Sequence, residues 1–136
     1  MAGGWNPYAN MAFRVTSFIL NLGKEVRMGG CCSLNIGLND QTIAFHLNPL
    51  FDVWGDKDTI VLNSVENGKW KEEVKPGGFC FFKGQNFKII IKYKSKGFSI
   101  TLPNGSKITF PNRISANKYS YFRFDGDVSI SSVEIR

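Results

Sequence analysis

Apolar and polar residues alternate at every second position in nine short segments of this 136-residue chain. Such alternation places successive side chains on opposite faces of an extended strand, one buried and one exposed to water. Turn signals such as Asn67-Gly68 and Pro103-Asn104-Gly105 separate the segments at spacings typical of antiparallel hairpins. Helical periodicity is almost absent, so the sequence predicts an all-β antiparallel sandwich of two sheets. The predicted strands are 13–20, 33–37, 42–47, 59–63, 87–93, 98–102, 107–110, 119–124 and 128–135.

The composition is that of one small globular domain. Hydrophobic residues make up 43% of the chain and aromatic residues 14%, which is enough for one buried core. Unbroken apolar runs of three or four residues are far shorter than the roughly 20 residues that cross a bilayer, so we expect no membrane insertion. Residues 1–12 have no clear period and are expected to form a flexible lead-in, followed by a single domain over 13–136.

The cysteine pattern argues against a disulfide framework. Cys31 and Cys32 are adjacent and bridge poorly, and Cys80 leaves an odd number, so we expect reduced thiols in the cytosol. The start of the chain lacks a classical secretion signal. The cysteines and the one histidine do not have the spacing of metal ligands, and the paired carboxylates Glu72 and Glu73 would point to opposite faces of a strand. The sequence therefore predicts neither an enzyme nor a metal or other cofactor.

Positive charge is concentrated in the second half of the chain. Residues 69–136 carry thirteen basic and five acidic side chains, within a net charge of +6. In the segment 87–96 the lysines occupy even positions, whereas the apolar residues Phe87, Ile89, Ile91 and Tyr93 occupy odd ones. A nucleic-acid groove would place aromatics among the charges, so we interpret the lysines as a solvated sheet face. Nucleic-acid binding remains an alternative that predicts strongly salt-dependent association with oligonucleotides.

Polar residues recur on one face of several predicted strands. Alternation places Ala44, His46 and Asn48 on one side and Ile43, Phe45 and Leu47 on the core side. Asn63 turns outward because Ile60 and Leu62 face the core, and Glu73 and Lys75 follow near Trp70. Each residue alone has an ordinary structural explanation. Together they offer hydrogen-bonding groups for hydroxyls and a flat indole face for the C–H side of a sugar ring.

The same residues carry a resemblance to a known family. The stretches His46-Leu47-Asn48-Pro49-Leu50-Phe51, Gly55-Asp56, 59–64 and 68–75 closely resemble the carbohydrate-recognition signature of galectins. Leu34-Asn35-Ile36-Gly37, Phe110-Pro111-Asn112-Arg113 and Asp125-Gly126-Asp127 also resemble galectin landmarks. The resemblance covers residues 13–136 and implies a jelly-roll-like sandwich with the sugar on its concave sheet. It implies that His46 and Asn63 hydrogen-bond to galactose hydroxyls, and that Asn48 corresponds to an asparagine of the family in the same strand as His46. It also implies that Trp70 stacks on the sugar ring and that Glu73 bridges galactose to the next sugar.

Two positions depart from the family pattern. Leu50 stands where galectins usually have an arginine, and loss of such a charge-assisted hydrogen bond typically costs ~1.5–3 kcal/mol. Lys75 replaces a second arginine and keeps the charge without the planar fork. Trp54 lies in a loop where polar residues are common, and its indole could stack on an extended glycan or cover Leu50.

The first hypothesis is a prototype-like, single-domain lectin for β-galactoside-containing or related glycans of glycoproteins or glycolipids, with specificity altered by Leu50, Lys75 and Trp54. The resemblance implies a homodimer through terminal strands, with 128–135 as a candidate edge, and cytosolic synthesis with a non-classical export route. Outside the cell, oxidation of the cysteines would make binding depend on reductant. The alternative is a galectin-fold structural or protein-interaction module with weak or lost sugar binding.

Overall fold

The computed structural model describes residues 15–22, 32–53, 56–79, 81, 86–94, 97–116, 119–126 and 128–135. The lead-in predicted for residues 1–12 lies outside these ranges, as do Trp54, Cys31 and Cys80. The described residues form ten β-strands and no helix. The strands are β1 (Val15–Leu22), β2 (Cys32–Asn39), β3 (Thr42–Val53), β4 (Asp56–Glu66), β5 (Lys69–Trp70), β6 (Asn86–Lys94), β7 (Gly97–Thr101), β8 (Lys107–Pro111), β9 (Tyr121–Gly126) and β10 (Val128–Ile135).

Two five-stranded antiparallel sheets make up the architecture. The first sheet has the order β10-β1-β6-β7-β8, and the second has the order β5-β4-β3-β2-β9. The predicted all-β sandwich is therefore confirmed, and every predicted segment overlaps one of these strands. The structure adds β5, a two-residue strand that pairs with β4 and is too short for alternation to reveal.

The core lies between the two sheets. Its largest members include Phe45 from the second sheet and Phe98 and Phe110 from the first, each at most 1% exposed. The Phe45 ring lies 5.2 Å from that of Phe98 and 5.9 Å from that of Phe110, so these aromatic contacts join the two layers. The alternation that predicted the strands is the cause, because it gives each sheet one continuous apolar face.

A bulge in β3 changes which residues face the core. Beside β2, the pairing passes from Ile36 opposite Phe45 to Gly37 opposite Ile43, so β3 holds one extra residue there. Ala44 consequently joins the core cluster, whereas Ile43 is buried outside it. The expectation that Ala44 shares the face of His46 was wrong, because alternation cannot anticipate a bulge. A Cβ on Gly37 would lie 2.4 Å from the backbone oxygen of Thr42, so only glycine fits opposite the bulge.

The lysine side of β6 follows the prediction. Ile89, Ile91 and Tyr93 are buried in the core, while Lys88 and Lys92 are exposed on the outer face of the first sheet. Among the described residues, no helix has the length and apolar character needed to span a membrane.

Candidate functional site

A row of polar residues crosses the second sheet on the side away from the core. Arg123 of β9 pairs with Asn35 of β2, Asn35 pairs with His46 of β3, and His46 pairs with Asn63 of β4. Residues in register on neighbouring strands point to the same face, with strands roughly 4.8 Å apart. We call this side of the second sheet the polar face. It brings together His46 and Asn63, as the sequence predicted.

Asn35 fixes the orientation of the His46 ring. The Asn35 side chain is fully buried, and its Nδ2 lies 3.0 Å from Ser33 Oγ, 3.2 Å from the Arg123 carbonyl and 3.3 Å from Asp125 Oδ2. With Nδ2 among acceptors, Asn35 Oδ1 faces His46 Nδ1 at 2.6 Å. An amide oxygen only accepts hydrogen bonds, so His46 Nδ1 carries the proton and donates. The other ring nitrogen, Nε2, is therefore left as an acceptor.

The charge state of His46 agrees with that tautomer. The pKa of His46 is lowered from 6.5 to about 4, mainly by burial and also by the Arg123 guanidinium, while the Asp125 carboxylate opposes the change. Asp125 is itself engaged, because Arg123 Nε donates to its Oδ2 at 2.8 Å. The imidazole is therefore neutral near pH 7. An unprotonated Nε2 can accept a hydrogen bond from a ligand hydroxyl, which an imidazolium could not do.

Asn63 has the opposite hydrogen-bonding character. Its Oδ1 accepts from the Ser64 backbone N–H at 2.7 Å and from Arg113 Nη1 at 3.3 Å, and its Nδ2 donates to the Lys71 carbonyl at 3.1 Å. An amide nitrogen has two hydrogens and an amide oxygen two lone pairs. One N–H of Asn63 therefore remains for a ligand, so the pair offers an acceptor at His46 and a donor at Asn63.

Trp70 adds an aromatic surface beside this pair. Its side chain is 57% exposed, and its ring centroid lies 4.7 Å from that of His46 at an interplanar angle of 69°. Trp70 is in register with Val65. The exposed indole, in edge contact with His46, offers an apolar face to a ligand on the polar face.

The segment after Trp70 runs along β4 with one extra residue. Trp70 pairs with Val65, but Val74 bridges to Leu62, so the pairing slips by one between them. Val74 packs against the core, and its neighbour Glu73 is exposed on the opposite side, which is that of Trp70. Alternation alone would place Trp70 and Glu73 on different faces, and the slip brings them to the same one.

Glu73 is exposed and available to a ligand. Within the described part of the chain, its carboxylate forms neither an ion pair nor a hydrogen bond. Lys75 is exposed on the same segment. The Glu73 carboxylate can therefore accept hydrogen bonds from ligand hydroxyls.

Asn48 and Leu50 continue the polar face along β3. Asn48 Oδ1 is buried and has no hydrogen-bond partner among the described residues. Two residues further on, Leu50 packs with Val61 of β4 in a small buried cluster separate from the main core. The polar face therefore changes from hydrogen-bonding groups to an apolar patch at Leu50. No three metal-ligating side chains come together in the described ranges.

Several residues that shape the site received no role from the sequence. Asn35 and Arg123 alternate with the apolar residues Leu34, Ile36, Phe122 and Phe124, so a polar residue inside an apolar strand was an available signal. Arg113 reaches Asn63 from the loop after β8, and no local pattern indicates that contact. Of the predicted site residues, the structure brings His46, Asn48, Asn63, Trp70 and Glu73 to the polar face, places Lys75 beside it, and leaves Trp54 outside the described ranges.

Comparisons with known proteins agree with this geometry. Residues 10–135 match the family profile "Galactoside-binding lectin". The chain is 41% identical over 104 residues to the beta-galactoside-binding lectin of Electrophorus electricus, with 76% of each chain covered. It is 38% identical to galectin-2 of Mus musculus, with 75% of each covered. It superposes on CG-16, a homodimeric agglutinin from chicken liver, with a TM-score of 0.84 and 26% identity, covering 94% of this chain and 96% of that one.

These similarities extend over nearly the whole domain. The matched proteins are lectins, which bind sugars without transforming them, and this confirms the expectation that the chain is not an enzyme. The chain therefore belongs to the galactoside-binding lectin family, the galectins.

Proposed function

We propose that this protein is a lectin that binds β-galactoside-containing or related glycans on the polar face of its second sheet. The observation that carries the proposal is the pairing of His46 and Asn63, an acceptor and a donor, beside the exposed ring of Trp70. A sugar hydroxyl both donates and accepts, so it matches this pair, while the C–H face of the ring packs on the indole. Glu73 accepts from a hydroxyl of the next sugar.

Asn48 and Leu50 set the specificity in this proposal. The unpartnered Asn48 Oδ1 is a third acceptor, since a buried acceptor without a partner costs ~1–3 kcal/mol that a ligand hydroxyl would recover. Leu50 and Val61 supply an apolar surface where galectins usually have an arginine. We therefore expect weaker lactose binding and a preference among galactosides that differs from the family pattern. In the proposal Lys75 contributes positive charge, and Trp54, which lies outside the described ranges, either stacks on an extended glycan or covers Leu50.

The assembly and location are also proposals. CG-16 is described as homodimeric, and this chain superposes on it. We propose a homodimer formed through the terminal strands, which presents two weak sites for avidity on glycoproteins or glycolipids. Sedimentation of the purified protein as a monomer at every concentration would contradict this. We further propose cytosolic synthesis with non-classical export.

The alternative is a galectin-fold interaction module that no longer binds sugar, and the apolar Leu50–Val61 cluster is the observation in its favour. A glycan array with reduced wild-type protein separates the two, with Trp70→Ala as the control. Binding to galactose-containing glycans that disappears in the control supports the lectin. Equal signals from both proteins support the interaction module.

A further inference from the structure

Arg113 lies outside the predicted sugar-binding residues, yet it contacts one of them. Its Nη1 lies 3.3 Å from Asn63 Oδ1 and 3.1 Å from Ser64 Oγ. Arg113 follows β8, the edge strand of the first sheet, whereas Asn63 and Ser64 belong to β4 of the second. The guanidinium therefore joins the two sheets beside Asn63 of the proposed site.

The rest of the Arg113 side chain is held in place. Its guanidinium carbon lies 4.7 Å from the centroid of the Phe110 ring, which is in the core. The preceding residue, Asn112, is buried, and its Oδ1 accepts from the Tyr119 hydroxyl and from the Ser115 backbone N–H. The loop is thus fixed to the core on both sides of the arginine, which makes Arg113 a rigid donor.

The contact determines which way the Asn63 amide faces. Asn63 Oδ1 lies between two donors, the Ser64 N–H and Arg113, while Nδ2 faces the Lys71 carbonyl. Rotating the amide by half a turn would point its N–H groups at those donors and its oxygen at a carbonyl. A guanidinium cannot reverse its role, because it has no acceptor and does not deprotonate.

We propose that Arg113 is a positioning residue for sugar binding: it locks the Asn63 amide so that one N–H faces the ligand. The inference rests on the proposed function, because it assigns a role in the same site. Arg113 acts through Asn63 and needs no contact with the sugar. Its removal should lower affinity through disorder of that amide, with little change in the fold.

The test compares Arg113→Met with Lys107→Met. Methionine keeps an apolar stem over Phe110 and removes every donor, whereas Lys107→Met removes one positive charge from an exposed position at the start of β8, the strand that precedes Arg113. Lactose binding is measured by NMR titration, which reaches millimolar dissociation constants. We expect Arg113→Met to weaken binding about fivefold, in the range found for coupled contacting residues, and Lys107→Met to leave it unchanged. Arg113→Lys should restore part of the loss, because it keeps a donor without the fork.

A second background separates positioning from direct contact. In Asn63→Ala protein, Arg113→Met should cause no additional loss of affinity, because the group that Arg113 positions is absent. An additional loss of similar size in that background would overturn the proposal, as would wild-type affinity in Arg113→Met itself.

The order of the Asn63 side-chain amide provides a readout that needs no ligand. Nitrogen relaxation at Asn63 Nδ2, measured under conditions where both proteins are fully folded, should show greater motion in Arg113→Met than in wild type. Equal order in both proteins would refute the positioning role. Failure of wild-type protein to bind lactose would overturn the proposed function instead, and the relaxation data would still decide the role of Arg113.

Discussion

The one histidine of the chain should give the fold a measurable dependence on pH. Burial lowers the pKa of His46 from 6.5 to about 4, with Arg123 acting in the same direction and Asp125 against it. In the unfolded chain the imidazole titrates near its ordinary value of ~6.5. Between these two values the unfolded chain binds more protons than the folded protein does. The free energy of unfolding therefore decreases as the pH falls from about 7 to about 4.

The size of the effect follows from the two pKa values. At ~1.4 kcal/mol per unit of pKa, the interval between 6.5 and about 4 corresponds to ~3 kcal/mol, lost in full below the folded value. About 2 kcal/mol of this is lost by roughly pH 5, where the unfolded histidine is charged and the folded one still neutral. That is a large fraction of the ~5–15 kcal/mol that stabilises a domain of this size.

Two measurements check the prediction. The imidazole proton signals in an NMR titration report the folded pKa without overlap from other histidines, because His46 is the only one. Urea unfolding at about pH 7 and about pH 5, for wild type and His46→Gln, gives the linked stability, and only the difference between the two proteins is attributed to His46. We expect wild type to lose ~2 kcal/mol more than the variant. Lactose affinity should stay constant over this range, because His46 Nε2 remains an acceptor.

A folded pKa between about 6 and 7 would refute the argument, since it would mean that the imidazole is not desolvated as its burial indicates. The same pH dependence of stability in wild type and His46→Gln would refute it independently.

Three further predictions concern other parts of the protein. Trp70→Ala should abolish retention on immobilised lactose while changing the free energy of unfolding by less than ~1 kcal/mol, because the indole is 57% exposed. Leu50→Arg should raise lactose affinity by about 10- to 100-fold, because the arginine supplies one charge-assisted hydrogen-bond donor near Asn48 Oδ1. Calorimetry that shows unchanged affinity would contradict this. Gly37→Ala should lower the free energy of unfolding, measured in urea, by more than ~2 kcal/mol, because its Cβ would clash with the backbone of Thr42. The control Gly77→Ala, whose Cβ would lie in open space, should lower it by ~1 kcal/mol.

Much of the fold could be predicted because its strands are amphipathic. The core positions of β6, Ile89, Ile91 and Tyr93, follow directly from alternation and are buried as expected. Alternation could not predict the position of a bulge, because an extra residue in one strand does not change the apolar pattern of the sequence in a recognisable way. For this reason the sequence placed Ala44 on the wrong face of β3.

The site residues that lie on strands could be predicted from the sequence. The contacts between residues that are distant in the sequence could not. His46 and Asn63 face the same side because each is flanked by core residues on its own strand. Arg113 is fifty positions from Asn63, and only the closing of one sheet over the other brings them together. The buried Asn35 could have been suspected from its place in an apolar strand, but its partners on β9 required the pairing of β2 with β9.

The energetics of the polar face bear on whether the site is used. A buried amide and a neutral histidine are less stabilising than well-packed apolar residues, and the His46 pKa of about 4 means that the arrangement weakens the fold in acid. A surface that served only to support the fold would gain from apolar replacements at these positions. Here Nε2 of His46 and one N–H of Asn63 have no protein partner on this face, and the buried Oδ1 of Asn48 beside them also lacks a partner among the described residues. Because a ligand hydroxyl satisfies such groups and an apolar protein partner leaves them unpaired, the chemistry favours sugar binding over the interaction module, even though Leu50 and Val61 make part of this face apolar.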